Sequence, residues 1–128
     1  MGARYLLDSD VLIWVLRNRK ETVSLVQRLL EESGEPLSCS ALSAIEVWVG
    51  AKPGEETKTD ILFSSLDTVP VDGGIARRAA GLLRARRTRE TGDWVDAMIA
   101  ASAMIHGMTL VTYNRKDYPY PGISLYPT

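Results

Sequence analysis

Acidic residues fall at three places where apolar segments begin or are interrupted. Asp8 ends the run Tyr5-Leu6-Leu7, and Asp10 follows it by two residues, just before Val11-Leu12-Ile13-Trp14. Glu46 sits between Ile45 and Val47 in SAIEVWVG, and Asp96 lies inside GDWVDAMIAASAMIHG. Carboxylates on three different elements can converge at one sheet edge, where like charges repel unless a cation neutralises them. With no accompanying cluster of histidine or cysteine, such a set offers hard oxygen ligands, which suit Mg2+ or Mn2+ over Zn2+. A cation held by a few carboxylates keeps several waters, lowers the pKa of one, and neutralises charge building on a phosphoryl oxygen.

Each acid also has a plainer local reading. Asp8 or Ser9 can cap the helix that follows. Glu46 shares a helical face with Leu42, Ser43, Val49 and Gly50, so it is either partnered there or a surface glutamate on an imperfectly amphipathic helix. Asp93 and Asp96 resemble a capping box with aspartate in the glutamate position. Ala100, Ala103 and Gly107 continue the Asp96 face as a ridge of small residues suited to close packing on a sheet.

The elements that must position these acids can be read from periodicity. Tyr5-Leu6-Leu7 predicts a short buried strand, followed by helices over about 10–18 and about 21–33, the second with Val23, Val26, Leu29 and Leu30 in helical spacing and Gly34 as its stop. Leu37-Ser38-Cys39 predicts a second strand, and Ser40 can cap a helix running to Gly50. After the polar loop KPGEETKT come a helix at about 59–65, a strand at 68–71, a helix over about 74–87 and an alanine-rich helix over 94–106. Leu110-Val111-Thr112 and Ile123-Ser124-Leu125 complete the set as strands. Strands alternating with helices imply parallel βαβ units with both sheet faces covered, and the carboxyl ends of such strands are where sites form. Asp8 lies at one of those ends.

The chain has 128 residues, 45% apolar and 24% charged, with a net charge of −1, so one domain over 1–128 is expected and global charge does not advertise a nucleic-acid partner. One cysteine, Cys39, rules out an intrachain disulfide and fits a reducing cytoplasm. No n-region or cleavage pattern precedes the first apolar segment, and no apolar run approaches the roughly 18 residues that span a bilayer. The expectation is a small cytoplasmic domain.

With those residues placed, the chain resembles the PIN-domain nucleases, and specifically the VapC group of toxin ribonucleases. YLLDSDVLI matches that family's opening strand and first acid, SAIEVWVGA the helix with its glutamate, DAMIAASAMIHG the helix with its second aspartate, and LVTYNRKDY the next strand and loop. The resemblance spans nearly the whole chain. It implies a three-layer α/β/α sandwich around a mainly parallel sheet of about five strands, Mg2+- or Mn2+-dependent cleavage of RNA, a homodimer and a cognate VapB-like antitoxin. It maps the family's acids onto Asp8, Glu46 and Asp96 as metal ligands and catalytic residues. Two positions depart from the pattern: Asp10 stands where many members have asparagine, and Asn114 stands where some carry a fourth acid, a role that either passes to Asp117 or is lost. Ser9, Thr112 and Asn114 are assigned as supporting residues.

Between Gly73 and Arg89 there are six arginines (77, 78, 84, 86, 87 and 89) and no acid. Such a segment can hold RNA phosphates, with Arg84, Arg86 and Arg87 foremost, or form a solvated helix face. Arg115 and Lys116 adjoin the fourth-acid position, where a scissile phosphate would lie. Trp14, Trp48 and Trp94 read as core or interface residues, and His106 as a complement to a helix C-terminus. Two rival readings exist. DSDVL resembles the paired aspartates of haloacid-dehalogenase-type phosphatases, with the first as nucleophile and the second as general acid. The other is a PIN-like module that only binds or dimerises.

Overall fold

Strand β1 (Tyr5–Leu7) divides its side chains between two apolar cores, with Tyr5 and Leu7 in one and Leu6 in the other. The computed structural model describes residues 2–86 and 92–128. After β1 come α1 (Ser9–Leu16), α2 (Lys20–Ser33), β2 (Ser38–Ser40), α3 (Ala41–Gly50), α4 (Glu56–Ser64) and β3 (Asp67–Val69). Then follow α5 (Gly73–Arg86), α6 (Gly92–Ile105), β4 (Thr109–Val111) and a 3-10 turn at Arg115–Asp117. The core beside Leu6 receives Ile75 and Ala79 of α5 and Ala97, Ala100, Ala101 and Ala103 of α6, so the small-residue ridge packs closely as expected. The opposite core receives Val11 and Leu12 of α1, Leu25 and Leu29 of α2 and Val47 of α3. Helices therefore cover both faces of the sheet, which makes three layers.

The sheet is parallel throughout, in the order β3-β2-β1-β4. Among the described residues it has four strands where about five were expected. Ile123-Ser124-Leu125 contributes one parallel bridge, Leu110 to Leu125, held by Leu110 N donating to Ser124 O at 2.8 Å and Tyr126 N to Leu110 O at 2.9 Å. Pro121-Gly122 before it and Pro127 after it bound the segment, and proline cannot donate to a ladder.

Helix ends follow the expected stops: Gly34 closes α2 in the left-handed region at φ 69°. Ser40 caps α3, its hydroxyl accepting from Leu42 N at 3.1 Å. Helix α4 starts earlier than its apolar pattern suggested. Glu55 Oε1 accepts from Lys52 N at 2.7 Å and Glu56 Oε2 from Gly54 N at 3.0 Å, so acids organise the turn at the helix start, where negative charge is favoured. Helix α6 already begins at Gly92, so Asp93 lies inside its first turn and not at the cap, and Asp96 lies in its second. The capping-box reading of that pair is thereby corrected.

From β1 the chain moves through β2 and β3 on one side, then returns to place β4 on the other. The order reverses between β1 and β4. In open α/β sheets the crevice beyond the carboxyl ends at such a reversal is where ligands bind.

Candidate active site

Asp8 is the first residue beyond β1, beside Thr112, the first beyond β4, because Leu7 pairs with Val111 and Asp8 N donates to Val111 O at 3.0 Å. Asp8 also caps α1: its Oδ1 accepts from Ser9 N at 2.9 Å. Its Oδ2 accepts two hydroxyls, Thr112 Oγ1 at 2.9 Å and Tyr118 at 2.9 Å. Cap and site residue are thus one and the same, and the buried charge (6% exposed) is stabilised by three donors.

Ser9 supplies the next link. Its hydroxyl donates to Glu46 Oε2 at 3.0 Å, which joins the first turn of α1 to α3 and holds an otherwise exposed Glu46 on the Asp8 side. Asp10 faces elsewhere. Its Oδ1 accepts from Val11 N at 2.8 Å, and its Oδ2 from Tyr113 N at 2.8 Å and Asn114 Nδ2 at 3.3 Å. Burial and the nearby Asp8 charge raise the Asp10 pKa, against the lowering effect of its backbone donors. Asn114 N in turn donates to Thr112 Oγ1 at 3.0 Å, so the loop after β4 is bound to both aspartates of the first motif.

Asp96 approaches from α6. Burial pushes its carboxyl group up to about 6, reinforced by repulsion from Asp117, Asp8, Glu46 and Asp93, in that order. That ordering makes the exposed Asp117, at the end of the 3-10 turn, the strongest charge acting on Asp96. Tyr118, 3% exposed, has its phenol pushed far above the ordinary range by burial, then by Asp8 and Asp96, so it stays a donor. Asp8, Glu46, Asp96 and Asp117 therefore share one electrostatic neighbourhood drawn from four separate parts of the chain.

Among the described residues the ion pairs are Arg4–Glu35, Arg19–Glu21 and Lys58–Glu55, none of which neutralises this neighbourhood. Also among them, no three acids, histidines or cysteines stand close enough to grip one ion together. The donor set nonetheless fits a hard divalent cation of the magnesium type, which is bound through one or two carboxylates and keeps several waters.

The basic residues are more dispersed. Arg84 and Arg86 are exposed on the last turns of α5, the end that runs toward the start of α6, and Arg86 lies 5.4 Å over the Tyr120 ring. Arg87 and Arg89 lie outside the described residues. Arg115 is exposed but donates to Tyr126 O at 2.6 Å, which directs it toward the chain end, while Lys116 is exposed beside it. Of the tryptophans, Trp14, Trp48 and Trp94 are all partly exposed; Arg19 sits 4.5 Å over Trp14, and Trp48 stacks on Phe63.

Tyr118 was missed from the sequence, where a tyrosine after Asp117 in a C-terminal loop reads as a packing residue. The clamp made by Asp10 was equally hidden, since its partners Tyr113 and Asn114 are more than a hundred residues away.

The model of the PIN domain family matches residues 5–118. Ribonuclease VapC19 of Mycobacterium tuberculosis is 30% identical over 115 residues, which cover 89% of this chain and 91% of that protein. Ribonuclease VapC10 of the same organism is 33% identical over 116 residues, 89% and 85% of the two chains. Among solved structures, a toxin-antitoxin complex from Klebsiella pneumoniae is similar with a TM-score of 0.79 at 27% identity, covering 97% of this chain and 98% of that one. VapBC2 from Rickettsia felis, bound to a promoter DNA fragment, shares the fold with a TM-score of 0.80 at 20% identity, covering 95% and 96%. The order of acids along the sequence, their shared electrostatic neighbourhood near the carboxyl ends of β1 and β4, and these matches agree: the chain belongs to the PIN-domain family, among the VapC ribonucleases.

Proposed function

We propose that this protein is a metal-dependent endoribonuclease that hydrolyses RNA phosphodiester bonds as the toxin of a VapBC-type pair. The observation that carries the mechanism is the set of carboxylates around Asp96, whose carboxyl group burial lifts to about 6 with repulsion from Asp117, Asp8 and Glu46 adding to it. Asp8, Glu46 and Asp96 are the proposed ligands of Mg2+ or Mn2+, one or two of them directly and the rest through the cation's waters, with Asp117 as the fourth acid. When bound, such a cation supplies an acidified water and neutralises charge developing on the phosphoryl oxygens.

The rest is the work of this chain's side chains. Thr112 and Tyr118 orient Asp8 through their hydroxyls. Ser9 keeps Glu46 aimed at the same edge. Asn114 and Asp10 fix the loop that delivers Asp117. Arg84, Arg86, Arg87 and Lys116 are proposed to meet substrate phosphates; Arg115, tied to Tyr126 O, is a weaker candidate for that contact than the sequence suggested. The phosphatase reading has little to stand on. It needs Asp10 as a free general acid, yet both oxygens of Asp10 accept hydrogen bonds from α1 and from the loop after β4.

A VapB-like antitoxin, a homodimer and a cytoplasmic setting complete the proposal. The proposed antitoxin device is a basic side chain inserted among the carboxylates, satisfying them as the cation would. No helix among the described residues is long and apolar enough to cross a membrane. The decisive experiment is RNA cleavage by the purified protein with Mg2+ or Mn2+, then with EDTA. Cleavage should vanish with the chelator; undiminished cleavage by metal-stripped protein would sink the mechanism.

A further inference from the structure

We propose that Tyr118 is a positioning residue for this nuclease: with Thr112 it occupies both lone pairs of Asp8 Oδ2 and leaves Oδ1 as the oxygen offered to the cation. The inference rests on the nuclease reading above. A carboxylate oxygen has two acceptor sites, and two hydroxyls at 2.9 Å fill those of Oδ2. Among the described residues Oδ1 accepts only Ser9 N, at 2.9 Å, which leaves one site on it open.

The two donors are well anchored. Thr112 is fully buried directly after β4, and Tyr118 is 3% exposed, its ring in the same core as Ala97 and Ala100 of α6. That ring placement ties Asp8 to the helix bearing Asp96. Tyr118 N also donates to Arg115 O at 3.1 Å, which closes the turn bearing Asp117. One buried phenol thus relates three of the proposed acids to one another. Phenylalanine would fill the same space and keep the packing but would leave Oδ2 free to rotate toward the cation or toward solvent.

The test compares wild type, Tyr118→Phe, Thr112→Val and Thr112→Ser by calorimetric titration with Mn2+ alone, well below every melting temperature. Partners that orient a metal ligand are typically worth about 10- to 100-fold in affinity. Tyr118→Phe and Thr112→Val should each weaken Mn2+ binding by about tenfold, and Thr112→Ser, which keeps a hydroxyl, should bind like wild type. With saturating Mn2+, kcat on RNA should fall for Tyr118→Phe while KM stays unchanged. A merely structural Tyr118 would lower the melting temperature and leave the Mn2+ affinity within twofold of wild type, and that result overturns the proposal. Should Tyr118→Phe fail to fold, Thr112→Val binding Mn2+ as wild type does overturns it equally. A wild-type chain that binds no Mn2+ removes the nuclease reading itself, whereas wild-type binding with unaltered variants removes only the role of the hydroxyls.

Discussion

At the scale of single residues, the raised carboxyl group of Asp96 ties the stability of the fold to pH. A carboxyl group raised from the usual range near 4 to about 6 holds its proton in the folded chain over a window in which the unfolded chain has lost it. The folded state binds more protons there, so stability falls as pH rises from about 4 to about 6 and stays low above it. The metal-free protein should therefore melt higher at pH 5 than at pH 7, and Asp96→Asn should flatten that slope. At pH 7 in EDTA, Asp96→Asn should melt at or above wild type, because it removes one of several repelling charges. Added Mn2+ should then raise its melting temperature less than that of wild type, since the linked stabilisation follows affinity. RNA cleavage should fall by orders of magnitude. Equal Mn2+ increments in the two proteins, with comparable cleavage, would return Asp96 to a purely local role at the start of α6.

At the scale of elements, Asp10 acts as a clasp between α1 and the loop after β4. Asp10→Ala would strip acceptors from Val11 N, Tyr113 N and the Asn114 amide, at a cost of roughly 1–3 kcal/mol. The loop should loosen, seen as faster amide hydrogen exchange at Tyr113 and Asn114; unchanged exchange at both would mean that the clasp contributes nothing. The elements themselves were largely legible, because apolar spacing in the α2 segment and glycine stops such as Gly34 report directly on helical periodicity and its end. The last strand was not: Ile123-Ser124-Leu125 has the composition of a strand, but prolines on either side leave room for a single bridge. Asp8, Glu46 and Asp96 could be picked out because charge interrupting an apolar pattern is visible locally. Their helpers were legible only in part: Ser9, Thr112 and Asn114 are assigned supporting roles in the sequence, whereas Tyr118 is not. The Ser9–Glu46 and Tyr118–Asp8 contacts depend on which loops the topology brings together, and nothing near Tyr118 in sequence marks its hydroxyl as paired. The start of α6 at Gly92 likewise depends on context that the Asp93–Asp96 spacing does not reveal.

At the scale of the molecule, a net charge of −1 conceals an acidic sheet edge and a basic helix end. Replacing Arg84, Arg86 and Arg87 by glutamine should weaken RNA binding and flatten its salt dependence, by up to about 0.7 in logarithmic slope per lost phosphate contact on a single strand. Mn2+ affinity should not move; an unaltered salt slope would make these residues a solvated helix face. Co-expression with an adjacent upstream reading frame should yield a stable complex without ribonuclease activity, and an active complex would count against blockade of the acidic edge. The order β3-β2-β1-β4 has one more consequence, for the timing of synthesis. Asp8 leaves the ribosome first, yet the partners that hold it, Thr112 and Tyr118, are made more than a hundred residues later. Chains grow from the N-terminus and contacts distant in sequence form late. A nascent chain can thus expose Asp8, Glu46 and even Asp96 while its first acid is still unbraced, so the acidic edge takes its final form only when synthesis is nearly complete.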